Sequence, residues 1–159
     1  MTFAPSPAAR KVVGHGMLVL LLGLVAGLGL VFALLESVAL WPFPAWDVTI
    51  PGSVRGWQAA HVGGIMNGML LGVIAMLMTY LRVEGSRELW AARCAIITGW
   101  GNTVFYWAGN VAPNRGLSGG DTPYGSADLA GLLAYLGGGI AMVFTFVLVV
   151  ILARAAFAR

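Results

Sequence analysis

A histidine and an asparagine stand in GWQAAHVGGIMNG, residues 56–68, a stretch that is mostly apolar and rich in glycine. His61 can ligate a metal ion or transfer a proton, and Asn67 can both donate and accept hydrogen bonds. A polar group in an apolar environment costs free energy unless it has a partner. Both residues are therefore candidates for binding or catalysis.

A second set of polar side chains recurs at a spacing of four residues and comprises Thr98, Asn102, Tyr106 and Asn110. Residues four apart lie on one face of a helix, so this spacing predicts a polar stripe. A stripe of this kind either forms hydrogen bonds between helices or lines a ligand site, where Tyr106 could donate a hydrogen bond to a substrate.

The elements that position these residues are predicted to be membrane-spanning helices. Hydrophobic residues make up 59% of the 159 residues and charged residues 9%, against about a quarter charged in soluble domains. Four apolar runs, at residues 12–35, 57–81, 90–111 and 128–153, are near or above the roughly 20 residues that span a bilayer. We predict an all-α integral membrane protein, a single domain over residues 1–159 that forms a four-transmembrane-helix bundle.

The basic residues orient this bundle. Seven of the nine lie at the two termini, between helices two and three or at the start of helix three, and two lie in the other connections. The seven are Arg10, Lys11, Arg82, Arg87, Arg93, Arg154 and Arg159, and the two are Arg55 and Arg115. The positive-inside rule then places both termini in the cytoplasm. The excess of basic residues therefore indicates how the chain is oriented in the membrane, and no nucleic-acid partner is expected.

Helices two and three run in opposite directions, so their polar residues can be compared by depth. At 1.5 Å per residue, His61 and Tyr106 lie about 6 and 8 Å from the outer helix ends, and Asn67 and Asn102 about 15 and 14 Å. Matching depths predict two polar layers in the outer half of the membrane. These layers are either interhelical hydrogen bonds or the wall of a ligand site.

Glycines share the face of helix two that carries His61. Gly64, Gly68 and Gly72 lie within about 60° of His61 on a helical projection. Small residues at this spacing are typical of a close helix–helix contact. The alternative interpretation is a glycine trough beneath the imidazole, which would make room for a large flat ligand.

Further candidates have weaker signals. Trp100 could form the wall of a pocket with Thr98 and Asn102, and Arg115 in the third connection could bind a carboxylate. His15, in the GHG of residues 14–16, lies near the opposite membrane face from His61. A haem held between two histidines is therefore disfavoured. The single cysteine excludes a CxxCH motif for covalent haem attachment.

Two motifs carry a family resemblance. IPGSVRGWQAAHVGGIMNGM at residues 50–69 and GWGNTVFYWAGNVAPNRGL at residues 99–117, together with GHG, resemble the bacterial styrene oxide isomerase family. The resemblance implies a multi-pass protein of the bacterial inner membrane that is a homotrimer with non-covalent haem b near its subunit interfaces. It implies an isomerase that converts small apolar aryl epoxides such as styrene oxide to aldehydes. The implied reaction is a Meinwald rearrangement with a 1,2-hydride shift, in which ferric haem is the Lewis acid.

The resemblance also implies residue roles. It makes His61 the single axial haem ligand and assigns Tyr106 and Asn67 to the epoxide. Gly64, Gly68 and Arg115 are expected at the haem. Thr98 stands where the family pattern leads us to expect an acidic residue, which affects the expected substrate pocket and not the ligand.

Three other functions compete with this interpretation. The chain could be a haem protein with a redox or sensing role, a small transporter, or a structural bundle without a ligand. A transporter needs polar residues along the whole path, and VIAMLM at residues 73–78 of helix two provides none.

Overall fold

The computed structural model describes residues 4–158, which form four long helices and a short hairpin. The helices are α1 (Pro7–Leu35), α2 (Val54–Tyr80), α3 (Gly85–Val111) and α4 (Leu129–Phe157). The hairpin, which the sequence did not predict, pairs β1 (Ser37–Val38) with β2 (Trp46–Asp47) in antiparallel fashion. The four predicted helices are confirmed. Arg159, used above to orient the chain, lies outside the described residues.

The first three helices begin three to five residues before their predicted apolar runs, and capping explains two of these early starts. The Ser6 hydroxyl accepts a hydrogen bond from the amide of Ala9 at 3.0 Å, and Ser53 does the same for Gly56 at 3.0 Å. Such caps satisfy amide groups that the first helical turn leaves without partners. Hydrophobicity marks the lipid-facing part of each helix and not these polar ends.

The helices pack as two pairs. α1 lies along α2, and α3 lies along α4, while smaller contacts of α3 with α1 and α2 join the pairs. The α1–α2 contact is close because glycines meet there. A Cβ built on Gly64 would lie 2.5 Å from the Cα of Gly23, and one built on Gly68 would lie 2.5 Å from the Cβ of Leu20.

This packing decides between the two interpretations of the glycine face. The close helix–helix contact is confirmed at Gly64 and Gly68. The open trough is wrong at these two positions, because the backbone and side chains of α1 fill the space above them.

Counting only residues 4–158, three helices (α1, α2 and α4) are long and apolar enough to cross a membrane. α3 is less apolar, because it carries Arg87, Glu88 and Arg93 near its start and the polar stripe further along. Large apolar side chains such as Leu28 and Phe146 cover much of the outer surface. An exposed apolar surface of this extent fits a protein surrounded by lipid.

Candidate active site

His61 lies against α1. Its Nδ1 atom is 2.9 Å from the carbonyl oxygen of Gly23. A carbonyl oxygen can only accept a hydrogen bond, so Nδ1 must carry the proton. In the neutral imidazole, Nε2 then keeps its lone pair and can serve as a metal ligand. A backbone carbonyl on the other ring nitrogen is also the usual arrangement of metal-binding histidines.

His15, the other histidine of the chain, has the opposite arrangement. Its Nδ1 atom accepts a hydrogen bond from the indole nitrogen of Trp100 at 3.0 Å. An indole N–H can only donate, so in the neutral ring the proton of His15 is on Nε2. Of the two histidines, His61 alone thus presents a free Nε2 lone pair.

Asn67 is buried between α2 and α3, with 7% of its surface exposed. Its Oδ1 atom accepts a hydrogen bond from Nδ2 of Asn102 at 2.8 Å, and its own Nδ2 donates to the carbonyl of Gly63 at 2.7 Å. The predicted pairing of polar residues at this depth is confirmed, and it is a direct interhelical hydrogen bond. One N–H of the Asn67 amide is still available to a further acceptor.

Tyr106 packs on the opposite side of α2 from His61. A Cβ built on Gly63 would collide with the Tyr106 ring, so the ring lies directly on the helix at that residue. Residues 61 and 63 differ by about 200° around a helix. The matching depth of His61 and Tyr106 is confirmed. Within a single chain, however, α2 separates the two side chains.

A cavity of about 770 Å³ opens where α2 begins and α3 ends, under the connection to α4. Tyr106, Phe105 and Ala59 line it, together with Arg55 and Arg115. Within residues 4–158 the Tyr106 hydroxyl forms no hydrogen bond with the protein, so it can donate to a molecule in this cavity.

The connection that carries Arg115 is held in shape by Asn114, which is completely buried. Asn114 donates to the carbonyls of Ser118 and Gly120, both at 3.0 Å, and accepts from the amide of Gly116 at 3.0 Å. These bonds fix a turn in which Arg115 has a φ of 58°. The guanidinium of Arg115 therefore sits at the cavity, 4.6 Å from the ring centre of Tyr124.

Comparison with known proteins identifies the family. The sequence model of styrene oxide isomerase matches residues 8–157. The chain belongs to the styrene oxide isomerase family. A styrene-oxide isomerase of Pseudomonas fluorescens is 34% identical over 137 residues, which are 84% of this chain and 81% of the relative. The predicted family and the predicted enzyme class, an isomerase, are confirmed.

Two predicted pocket residues of this chain contact neighbouring helices. Thr98 is buried against α4, where its hydroxyl lies 3.1 Å from that of Thr145 and 3.4 Å from the carbonyl of Ala141. Trp100 points to His15 on α1, with ring centres 6.2 Å apart. Neither side chain lines the cavity beside Tyr106, and the assignment of the two residues to a pocket stays a prediction.

The sequence interpretation also missed residues that the structure brings to the candidate sites. Arg55 was counted only for orientation, yet it lines the same cavity as Arg115. Gly23 and Gly27 of α1 contact the imidazole of His61. Their spacing of four residues is a signal for a close helix contact, but it does not identify the residue that they contact.

Proposed function

We propose that this protein is a membrane-bound isomerase that converts aryl epoxides, such as styrene oxide, to aldehydes with haem b as its cofactor. One observation carries the proposal within this family: the hydrogen bond to Gly23 leaves Nε2 of His61 as a ligand atom. The proposed setting is a four-span bundle in the bacterial inner membrane with both termini in the cytoplasm.

The donor atoms fit a haem with one axial histidine. His61 would hold the iron, and the lone pair on Nδ1 of His15 is already engaged by Trp100. Among the described residues, no three His, Cys, Asp or Glu side chains come together, whereas a haem iron needs only one protein ligand. When bound, ferric haem supplies a Lewis acid that polarises a carbon–oxygen bond of the epoxide.

The other residues act on the substrate. As the benzylic carbon–oxygen bond breaks, negative charge develops on the oxygen, and the Tyr106 hydroxyl donates a hydrogen bond to it. We also assign Asn67 to the substrate through its remaining N–H, because this residue lies one helical turn from Gly63, on which the Tyr106 ring packs. A hydride moves from the terminal carbon to the benzylic carbon, and the terminal carbon becomes the aldehyde carbonyl. No atom is gained or lost, so the reaction needs no nicotinamide cofactor.

Part of the cavity wall is apolar, which would limit the access of water to the reacting carbon. Phe105 and Ala59 give it an apolar wall beside Tyr106. Water would trap the developing carbocation as a diol, so a dry site favours the aldehyde. Apolar epoxides partition into lipid, which supplies them to a site within the membrane.

The position of His61 and Tyr106 on opposite sides of α2 supports a site shared between chains. In a homotrimer, His61 of one protomer would face the cavity of its neighbour, which contains Tyr106. Cyclic contacts between unlike surfaces create such shared sites. Arg115, with Arg55 beside it, would bind the two haem propionates as charge-assisted hydrogen-bond donors.

A haem protein with a redox or sensing role is the second candidate, because a free Nε2 on His61 supports any haem protein. The two functions differ in their need for electrons. An isomerase turns over without a reductant, whereas a redox protein does not.

The purified protein in detergent tests the proposal. It should have the absorption spectrum of haem b, which His61→Ala should lose and His15→Ala should keep. The ferric protein should convert styrene oxide to phenylacetaldehyde without NAD(P)H. Deuterium on the terminal epoxide carbon should appear in part on the carbon next to the carbonyl. A normal Soret band in His61→Ala, or complete loss of deuterium to solvent, would contradict the proposal.

A further inference from the structure

We propose that α1 fixes the orientation and the protonated nitrogen of His61, and that Gly27 is the positioning residue that permits this contact. The inference rests on the proposed role of His61 as the haem ligand. It assigns a function to a glycine that acts through its contact with the His61 ring.

The carbonyl that His61 contacts already belongs to the hydrogen-bond pattern of α1. In an α-helix, the carbonyl oxygen of Gly23 accepts the amide N–H of the residue four positions later, Gly27. Its second lone pair accepts the Nδ1–H of His61 at 2.9 Å. The imidazole must therefore approach the helix beside residue 27 itself.

The space at residue 27 admits no side chain. Helical Cβ atoms lean toward the N-terminus, which at this residue is toward the turn that contains Gly23. A Cβ built on Gly27 would lie 2.6 Å from Nδ1 and 2.8 Å from Cε1 of His61. Only glycine leaves room for the ring, because any side chain would occupy the path to the carbonyl.

Helix α1 is packed tightly against α2, so moving it away from His61 would break this contact. A Cβ built on Gly23 would lie 2.7 Å from the amide nitrogen of Ile65, so the two backbones are already in close contact one turn below. An alanine at residue 27 would therefore displace the imidazole and not the helix. The hydrogen bond to Gly23 would lengthen, and Nε2 would point in a different direction.

Weakening this hydrogen bond should also weaken the bond that His61 would form with the haem iron. An imidazole whose N–H is held by a carbonyl is a stronger donor to the metal, and loss of such a partner typically costs about 10–100-fold in metal affinity. Gly27→Ala should therefore release haem about 10–100-fold faster to excess apomyoglobin. The iron–histidine stretch in the Raman spectrum of the reduced protein should move to lower frequency.

Gly14→Ala is the matched control. Gly14 lies on the same helix, and a Cβ built there meets nothing within 4 Å. Both substitutions favour a helix in the same way, because alanine restricts the unfolded chain more than glycine does. Gly14→Ala should leave the haem release rate and the stretching frequency unchanged.

A rescue experiment separates positioning from folding. In His61→Gly supplied with free imidazole, the ligand is not tethered and can move away from residue 27. Adding Gly27→Ala to this variant should then change haem release little. An equal increase in haem release in that background would show that Gly27 acts through the fold, and would overturn the inference.

The outcomes distinguish this inference from the proposed function. If Gly27→Ala matches the wild type in both release rate and stretching frequency while His61→Ala loses haem, the inference is wrong and the proposed function stands. If His61→Ala keeps its haem, both are wrong.

Discussion

Replacing Tyr106 with phenylalanine tests the candidate catalytic residue with little effect on folding. The change removes one hydroxyl group, which forms no hydrogen bond to the protein within residues 4–158. The aromatic ring keeps its contacts with Gly63 and with Phe105, whose ring centre is 5.4 Å away. We therefore expect the free energy of unfolding to change by no more than about 0.5 kcal/mol.

The expected effect on the rate is much larger. Loss of one donor to a developing oxyanion typically lowers kcat by about 10²–10³-fold. The lower end of this range applies here, because Asn67 still offers an N–H and the proposed haem would bear part of the charge. An activity loss of about 100-fold with little change in stability would separate catalysis from packing.

The assay is the initial rate of phenylacetaldehyde formation per bound haem, measured together with haem content and melting temperature. Tyr135→Phe is the matched control, because Tyr135 lies on α4 with 46% of its surface exposed. It should leave all three quantities unchanged. A wild-type rate per haem in Tyr106→Phe, or a loss explained entirely by missing haem, would refute the assignment of Tyr106.

Two further predictions concern the layers around α2. If the site is shared in a trimer, His61→Ala and Tyr106→Phe protomers that are co-expressed in equal amounts should form about a quarter of the wild-type number of intact sites. An activity no higher than the mean of the two single variants would contradict a shared site. Asn67→Ala and Asn102→Ala should each lower the melting temperature, and the double variant should reveal a coupling of about 0.6–2 kcal/mol. Only Asn67→Ala should also lower the reaction rate per bound haem. If the losses of stability in the two single variants simply add up in the double variant, the hydrogen bond between Asn67 and Asn102 would be contradicted.

The four helices and the depths of their polar residues could be predicted from the sequence, because hydropathy and helical rise are local properties. Asn67 and Asn102 are 35 residues apart, yet their pairing follows from two antiparallel helices and a rise of 1.5 Å per residue. The two family motifs are also read directly from the sequence, and they identified the enzyme class.

The side of each helix that faces a given neighbour could not be predicted. Trp100 and His15 are 85 residues apart, and Thr98 and Thr145 are 47 apart, so these contacts depend on how the helices are arranged. The glycine pattern of α2 fits a ligand or a second helix equally well. Only the position of α1 decides between them, and it places His61 on one side of α2 and Tyr106 on the other.

This separation has a consequence for engineering the enzyme. The imidazole rests on a tightly packed contact with α1, where added volume has nowhere to go. Phe105 and Ala59 line the cavity on the other side of α2, where a change of side-chain size alters an open space. A library of variants confined to this cavity wall can explore new epoxides without disturbing the contact that orients the histidine.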